Sequence, residues 1–248
     1  MYFHKLKTDL KNSRIKSFAV TRTFNPIGTI SIDDVIEAFD FAYSMTFGSD
    51  GEHRDHRTGG THRRKNGEIF ANTFQGKLCE FAIYETLKDS HKINKPDVSL
   101  YNLGKWDSFD FNIDDYIVSI KSTKSFGQLL LLEKKDWNAN GEYIPNGNEK
   151  YDFTFMVRIK NDPESIMKSN RLLYSDYCEK DKLWELFCDN DWSFDIPGYI
   201  TQEELVFLIN NNYIINKGDL LNGKTPMDAD NYYCHLGDMH EFKDTINK

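Results

Sequence analysis

A chain of 248 residues, 39% hydrophobic and 14% aromatic, can bury the core of one large domain, and it contains no linker, internal repeat or low-complexity tract. Its formal net charge of −8 argues against a broadly basic nucleic-acid surface. Phosphates would have to be met by local clusters of basic residues or by metal ions at carboxylates. No run of about 18 apolar residues is present, which excludes a membrane-spanning helix. The N-terminal MYFHKLKTDLKNSR lacks the apolar stretch of a secretory leader. Cys79, Cys178, Cys188 and Cys234 show neither CxxC pairing nor zinc-ligand spacing, and fit reduced core thiols of a cytoplasmic protein.

Residues 1 to about 30 read as a short helix followed by an irregular segment through Pro26-Ile27-Gly28. Ser31 then caps a packing helix with Asp33 and Asp34 in its first turn, an apolar stripe of Ile32, Val35, Ile36, Phe39, Ala42, Tyr43 and Phe47, and a stop at Gly48. The stretch 49–67, SDGEHRDHRTGGTHRRKNG, is the densest basic segment of an acidic protein. Arg54, Arg57, Arg63, Arg64 and Lys65 stand there with His53, His56 and His62 around Gly59-Gly60. Two readings stay open: a solvated surface loop, or a loop that meets phosphates and base edges.

A helix is expected from about Thr73 to Lys88, with apolar residues on much of its circumference. Glu80 falls between its apolar stripes, so it needs a partner, either an arginine in a salt bridge or a metal ion. Glu85 is the competing acid. A polar connection over 90–105 contains Pro96-Asp97.

Residues 106–123, WDSFDFNIDDYIVSIKST, alternate with period two and predict a hairpin. With Asp114-Asp115 as the turn, Ile113 pairs with Tyr116, and counting outward sets Asp110 across from Ser119. Opposed Cβ atoms lie roughly 4.5–5.5 Å apart, and the diagonal neighbour, Lys121, about 7–8 Å away. Asp110, Ser119 and Lys121 then share a face pointing away from the core, while Phe111, Val118 and Ile120 enter it. The competing reading is an edge hairpin with its charges in water.

Beyond the hairpin, SFGQLLLLEKKDW at 125–137 reads as a helix. A loop over 138–149 leads to a strand at 151–160, with Phe153, Phe155, Val157 and Ile159 inward and Thr154, Arg158 and Lys160 outward. A helix at about 178–189, a turn at Pro197-Gly198, a helix opening with the Thr201/Glu204 capping box and a strand at 231–236 complete the chain. The organisation is α+β, with a central mixed sheet.

A helix with an acid, a strand with an acid, a strand ending in apolar-x-Lys, then a helix and another strand: this order resembles the PD-(D/E)XK nuclease superfamily, and type II restriction endonucleases in particular. The resemblance covers roughly residues 70–160, and the C-terminal PGYITQEELVFLINNNYIINKGDLL is also similar to the tail of some bacterial nucleases of this class. It implies a single α/β/α layered, restriction-endonuclease-like domain over 1–248: an N-terminal helical region with the basic loop (1–69), a catalytic core (70–160) and completing helices and strand (161–248). It implies Mg²⁺-dependent hydrolysis of double-stranded DNA, Mn²⁺ as a substitute metal, a homodimer, a bacterial or phage-like cytoplasmic setting, and a cognate DNA methyltransferase acting on the same site.

By the same resemblance Asp110 is the metal-binding aspartate, Lys121 the motif lysine, and Glu80 the acid of the preceding helix. The main-chain carbonyl of Ile120 is a further ligand. Ser119 stands where the second acid belongs, so the motif reads S-I-K; Glu133 is the alternative acid, supplied from downstream. The chemistry asks for such groups. Carboxylates hold Mg²⁺, which polarises the phosphoryl oxygen and lowers the water pKa, and a lysine orients that water or meets developing charge. DNA contacts are expected from Arg54, His56, Arg57, His62, Arg63, Arg64, Lys65 and Lys124, with Arg158 and Lys160 as a fallback. Two further readings remain: a non-catalytic DNA-binding protein on the same fold, and a repair, phage or mobile-element nuclease without sequence specificity.

Overall fold

The computed structural model describes residues 2–48, 64–99 and 111–242. Its N-terminal segment carries three short strands, β1 (Lys7–Thr8), β2 (Ile15–Ser17) and β3 (Gly28–Thr29), in place of the expected helix. The backbone there finds its partners far along the chain: Ile15 and Lys16 pair with Leu220 and Leu221, Leu6 N–H donates to the Tyr233 hydroxyl, and Ala19 N–H to His235 Nε2. Tertiary pairing overrides a local pattern too weak to nucleate a helix.

Helix α1 (Ile32–Thr46) begins where Ser31 predicts, with the Ser31 hydroxyl accepting from Asp34 N–H and two aspartates in the positive first turn. Helix α2 (Asn66–Leu87) starts seven residues earlier than its pattern suggests, its first turn closed by Lys65 N–H donating to the Glu68 carboxylate at 2.9 Å. Phe70, Phe74, Leu78, Phe81 and Ile83 are all buried, so α2 lies inside the molecule rather than on it.

Strands β4 (Phe111–Ile113) and β5 (Tyr116–Lys124) form the predicted hairpin in the predicted register, Ile113 opposite Tyr116 and Phe111 opposite Val118. Asp114 turns the chain at φ 54°. An aspartate tolerates that left-handed region because its short side chain bonds locally. Here it accepts from Lys92 N–H at 2.8 Å and meets His91 Nδ1 at 2.7 Å. The hydrogen bond to His91 holds the Asp114 carboxyl below its usual range.

The next segment corrects the expected helix over 125–137. It is strand β6 (Leu129–Glu133) followed by a single 3₁₀ turn. Four consecutive leucines read alike at either period, and only burial separates them: Leu130 and Leu132 face a core while Leu131 is exposed. Strand β7 (Phe153–Ile159) is buried on both faces, and of the residues expected outward only Lys160, just beyond it, is exposed. Short helices α3 (Pro163–Ser169) and α4 (Lys180–Trp184) precede β8 (Ser193–Thr201); α4 is less than half the helix expected over 178–189.

Pro197 and Gly198 lie inside β8 instead of forming a turn. They sit opposite a register shift between Met156 and Arg158, the kind of bulge where a strand tolerates proline. A Cβ on Gly198 would stand 2.1 Å from the His240 carbonyl oxygen, so only glycine fits. Helix α5 (Gln202–Asn210) has the expected Thr201/Glu204 capping box. Strands β9 (Ile214–Ile215), β10 (Leu220–Leu221), β11 (Thr225–Pro226) and β12 (Asn231–His235) follow.

The fold is α+β. A five-stranded mixed sheet in the order β3-β8-β7-β5-β4 is central, with β5 and β7 its parallel pair. One face carries α1 and α2 over a core that includes Phe39, Phe74, Leu78, Ile120 and Val157. The other face is covered by the three-stranded sheet β6-β12-β9 and by α5, over a core that includes Leu130, Leu132, Met156, Ile200 and Leu208. Helices therefore do not cover both faces equally, as α/β/α layering would require.

Arg158 corrects a further expectation. Far from pointing outward, it is 0% exposed. Its Nε and Nη2 donate to both oxygens of Asp195 at 2.8 and 2.6 Å, and its remaining N–H groups reach the carbonyls of Arg22, Thr23 and Gly127. All five guanidinium donors are thereby met. Removing one member leaves the other charge buried and unpaired. Arg158→Met should lower stability by about 3–5 kcal/mol, and the double change Arg158→Met/Asp195→Leu should recover much of it. Urea unfolding of the two variants checks this; a single-variant loss under about 1 kcal/mol would mean the pair is dispensable.

Candidate active site

The two faces of β5 look into different cores. Val118 and Ile120 join Phe155, Leu78 and Cys79 on the side of α2. Ser122 continues that face and accepts from Gln75 Nε2 at 3.1 Å, which pins α2 against the strand. On the other face Ile117 packs on the second core, Ser119 lies beside Thr154 of β7, and Lys121 beside Met156. The alternation thus puts Ser119 and Lys121 on one face, as the sequence predicts.

That face is not an open edge. Ser119 is 0% exposed and Lys121 is half-buried, its ammonium 5.9 Å from the centre of the Tyr143 ring. The cover comes from the layer that β6 helps to build, in the place where a helix was expected. Ile120 sits mid-strand between the two, paired with Phe155. Asp110 lies outside the described residues, as do Arg54, His56, Arg57, His62 and Arg63.

Glu80 is carried by α2, the helix that packs on the Val118/Ile120 face of β5. Its carboxylate takes a short hydrogen bond from Lys77 Nζ one turn earlier. Lys77 is only 9% exposed, also donates to the Asp97 carbonyl at 2.8 Å, and lies 4.7 Å from the centre of the Phe41 ring. Glu80 is therefore the counterion of a buried lysine, where the sequence had suggested a salt bridge to an arginine as the alternative to a metal. Glu85 is bonded to Lys88 at 2.7 Å.

Glu133 ends β6 and lines a cavity of about 400 Å³ with Lys134, Lys135, Lys217, Asp228 and Asp230. The structure sets Ser119, Ile120 and Lys121 consecutively on β5, Glu80 on α2 and Glu133 at the end of β6. Among the described residues no group of three or more His, Cys, Asp or Glu side chains is placed to hold a metal ion.

Of the basic residues expected at DNA, Lys65 is paired with Asp176 at 2.7 Å. Lys124 lies between Asp162 at 2.8 Å and Glu164 at 2.9 Å. Burial pulls the Lys124 pKa down, and the hydrogen bonds to the two carboxylates outweigh it, leaving the ammonium above its ordinary value. Arg64 lines a cleft of about 350 Å³ with Asn72, Gln75, Ser122 and Lys124, a grouping that no spacing in the sequence announces.

No family model, curated protein or solved structure matches the chain. Because Glu80 serves Lys77, Glu80→Gln should lower stability by about 1.5–3 kcal/mol, the worth of a hydrogen bond to a charged group. Thermal melting of the variant, with Glu85→Gln as the exposed control, checks it; equal melting of both would release Glu80 from this role.

Proposed function

We propose that the chain is a Mg²⁺-dependent endodeoxyribonuclease that hydrolyses phosphodiester bonds in double-stranded DNA. It is, on this reading, a sequence-specific type II enzyme of the PD-(D/E)XK kind, with Mn²⁺ able to replace Mg²⁺. The observation that carries the reading is the β4–β5 register, with Ile113 opposite Tyr116. From that same register the sequence sets Asp110 across from Ser119, with Lys121 on the shared face. A long buried helix ahead of the hairpin and a parallel partner strand after it add support.

Glu80 already accepts from Lys77, which supports leaving it out of the metal site on this reading. The reading leaves Asp110 and the Ile120 main-chain carbonyl as protein ligands, and Mg²⁺ keeps several waters by preference. When bound, the metal supplies polarisation of the phosphoryl oxygen. Lys121 supplies a half-buried point cation that orients a water or meets developing charge, worth more in a partly dry site than in water. A homodimer on duplex DNA, a cytoplasmic setting and a cognate methyltransferase belong to the same proposal.

One observation favours a second reading, a non-catalytic DNA-binding protein on the same architecture. Ser119 offers a neutral hydroxyl, wholly buried, where the motif ordinarily has an acid.

Supercoiled plasmid incubated with Mg²⁺ separates the readings. Discrete bands, absent in EDTA, are expected from the intact chain. Lys121→Ala and Asp110→Ala should each reduce cleavage by about 10²-fold or more with unchanged melting. A smear would indicate a nuclease without sequence specificity, and binding without cleavage would support the second reading. Unfolding of both variants would make the two residues structural.

A further inference from the structure

His235, the last residue of β12, is 0% exposed, and a backbone donor fixes its tautomer. Nε2 accepts from Ala19 N–H at 3.1 Å, so in the neutral ring the proton sits on Nδ1. Nδ1 lies 3.7 Å from Asp238 Oδ2, too far for a hydrogen bond, and has no hydrogen-bond partner among the described residues.

The side chain of Asp238 is itself nearly buried and already serves the N-terminal segment. Its Oδ2 accepts from His4 N–H at 2.8 Å, and its Oδ1 meets His4 Nδ1 at 2.6 Å. One histidine and one aspartate thus fasten that segment at two points, Ala19 and His4. The other groups facing the ring are the His4 carbonyl, the Phe18 ring at 6.4 Å and the Tyr233 ring at 5.8 Å between centres. Burial keeps the Tyr233 phenol and the adjoining Cys234 thiol neutral by pushing both up. Arg22 and Glu204, which act on Cys234, are engaged by the Pro197 and Met239 carbonyls and by His240.

A proton at Nε2 undoes this arrangement. The imidazolium is a donor at both nitrogens, so Nε2 can no longer accept from Ala19 N–H. Its charged Nδ1–H is drawn to the same Asp238 oxygen that His4 N–H uses. Burial holds His235 below its ordinary value of 6.5, against the opposing pull of Asp238 and the His4 carbonyl. The neutral ring therefore stabilises the closed arrangement above about pH 6.5, and that stability is lost as pH falls toward the lowered folded value.

We propose that His235 is an acid-sensitive latch: one proton releases the Ala19 and His4 fastenings, and the N-terminal segment opens locally. Two contacts that the proton does not touch keep the segment on the molecule. The Tyr213 hydroxyl donates to the Phe3 carbonyl at 2.8 Å, and β2 pairs with β10. What opens is the stretch 18–25, whose Arg22 and Thr23 carbonyls and Asn25 N–H hold Arg158 and Asp195. The latch is independent of the nuclease reading.

Hydrogen exchange of the full chain, followed by mass spectrometry from about pH 7.5 to about pH 5.5 and corrected for intrinsic rates, tests it. Amides of 18–25 should exchange faster as pH falls, approaching about tenfold at the lower end, the limit for one proton taken up on opening. Helix α2 should keep its protection. His235→Gln offers Ala19 an amide oxygen and takes up no proton, so it should stay closed and lose the pH dependence. His4→Gln should retain the dependence. Ring nitrogen shifts of the unaltered chain at the upper pH should report the Nδ1–H tautomer.

Unchanged exchange over 18–25, or an Nε2–H tautomer, would overturn the latch, and both readouts need no variant. Equal acceleration in α2 would make the opening global and overturn it too. Dependence that persists in His235→Gln, or vanishes in His4→Gln, would take the switch away from His235.

Discussion

The structure depends on one buried ion pair. Arg158, in the middle of the central sheet, meets Asp195 on the neighbouring strand through two hydrogen bonds and holds three backbone carbonyls from two other segments. A guanidinium taken out of water is tolerable only when its donors are met, and here all five are. Asp195 in turn accepts from Asn25 N–H at 2.9 Å. The pair thereby fastens the N-terminal segment and the turn at Gly127 to β7 and β8. Arg22 extends the arrangement through bonds to the carbonyls of Pro197 and Met239.

That fastening has a consequence for the site. Gly127 lies between β5 and β6, so the pair anchors the point at which the chain leaves the central sheet to build the second layer. The second layer covers Ser119 and leaves Lys121 half-buried beside Tyr143. Chemistry on this face would occur in a partly dry slot between two sheets, where a fixed cation acts more strongly than at an exposed edge.

Much of this was legible where local chemistry decides structure. Ser31 and Asp34 marked the start of α1, Thr201 and Glu204 that of α5, and the Asp114-Asp115 turn set the hairpin register. Legibility failed where the partners are distant. The N-terminal strands are completed by residues about two hundred positions away, which no local pattern encodes. The leucine run of β6 fits either period. Arg158 looked outward because alternation assumes one wet face, and β7 has none. Of the site, the shared face of Ser119 and Lys121 followed from period two. The true place of Glu80 did not, although its partner Lys77 stands only one helical turn away. The Gln75–Ser122 bond needed the packing of α2 on β5 to exist at all.

The central proposal is that a divalent metal binds on the Lys121 face of the hairpin, with Glu80 left as the partner of Lys77. Paramagnetic broadening by Mn²⁺ in the isotope-labelled protein tests it most directly. The account predicts that amide signals of Ser119, Ile120 and Lys121 broaden first, that those around Glu80 persist, and that Asp110→Asn abolishes the effect. Broadening centred on Glu80, or on the hairpin in Asp110→Asn as strongly as in the unaltered chain, would contradict it.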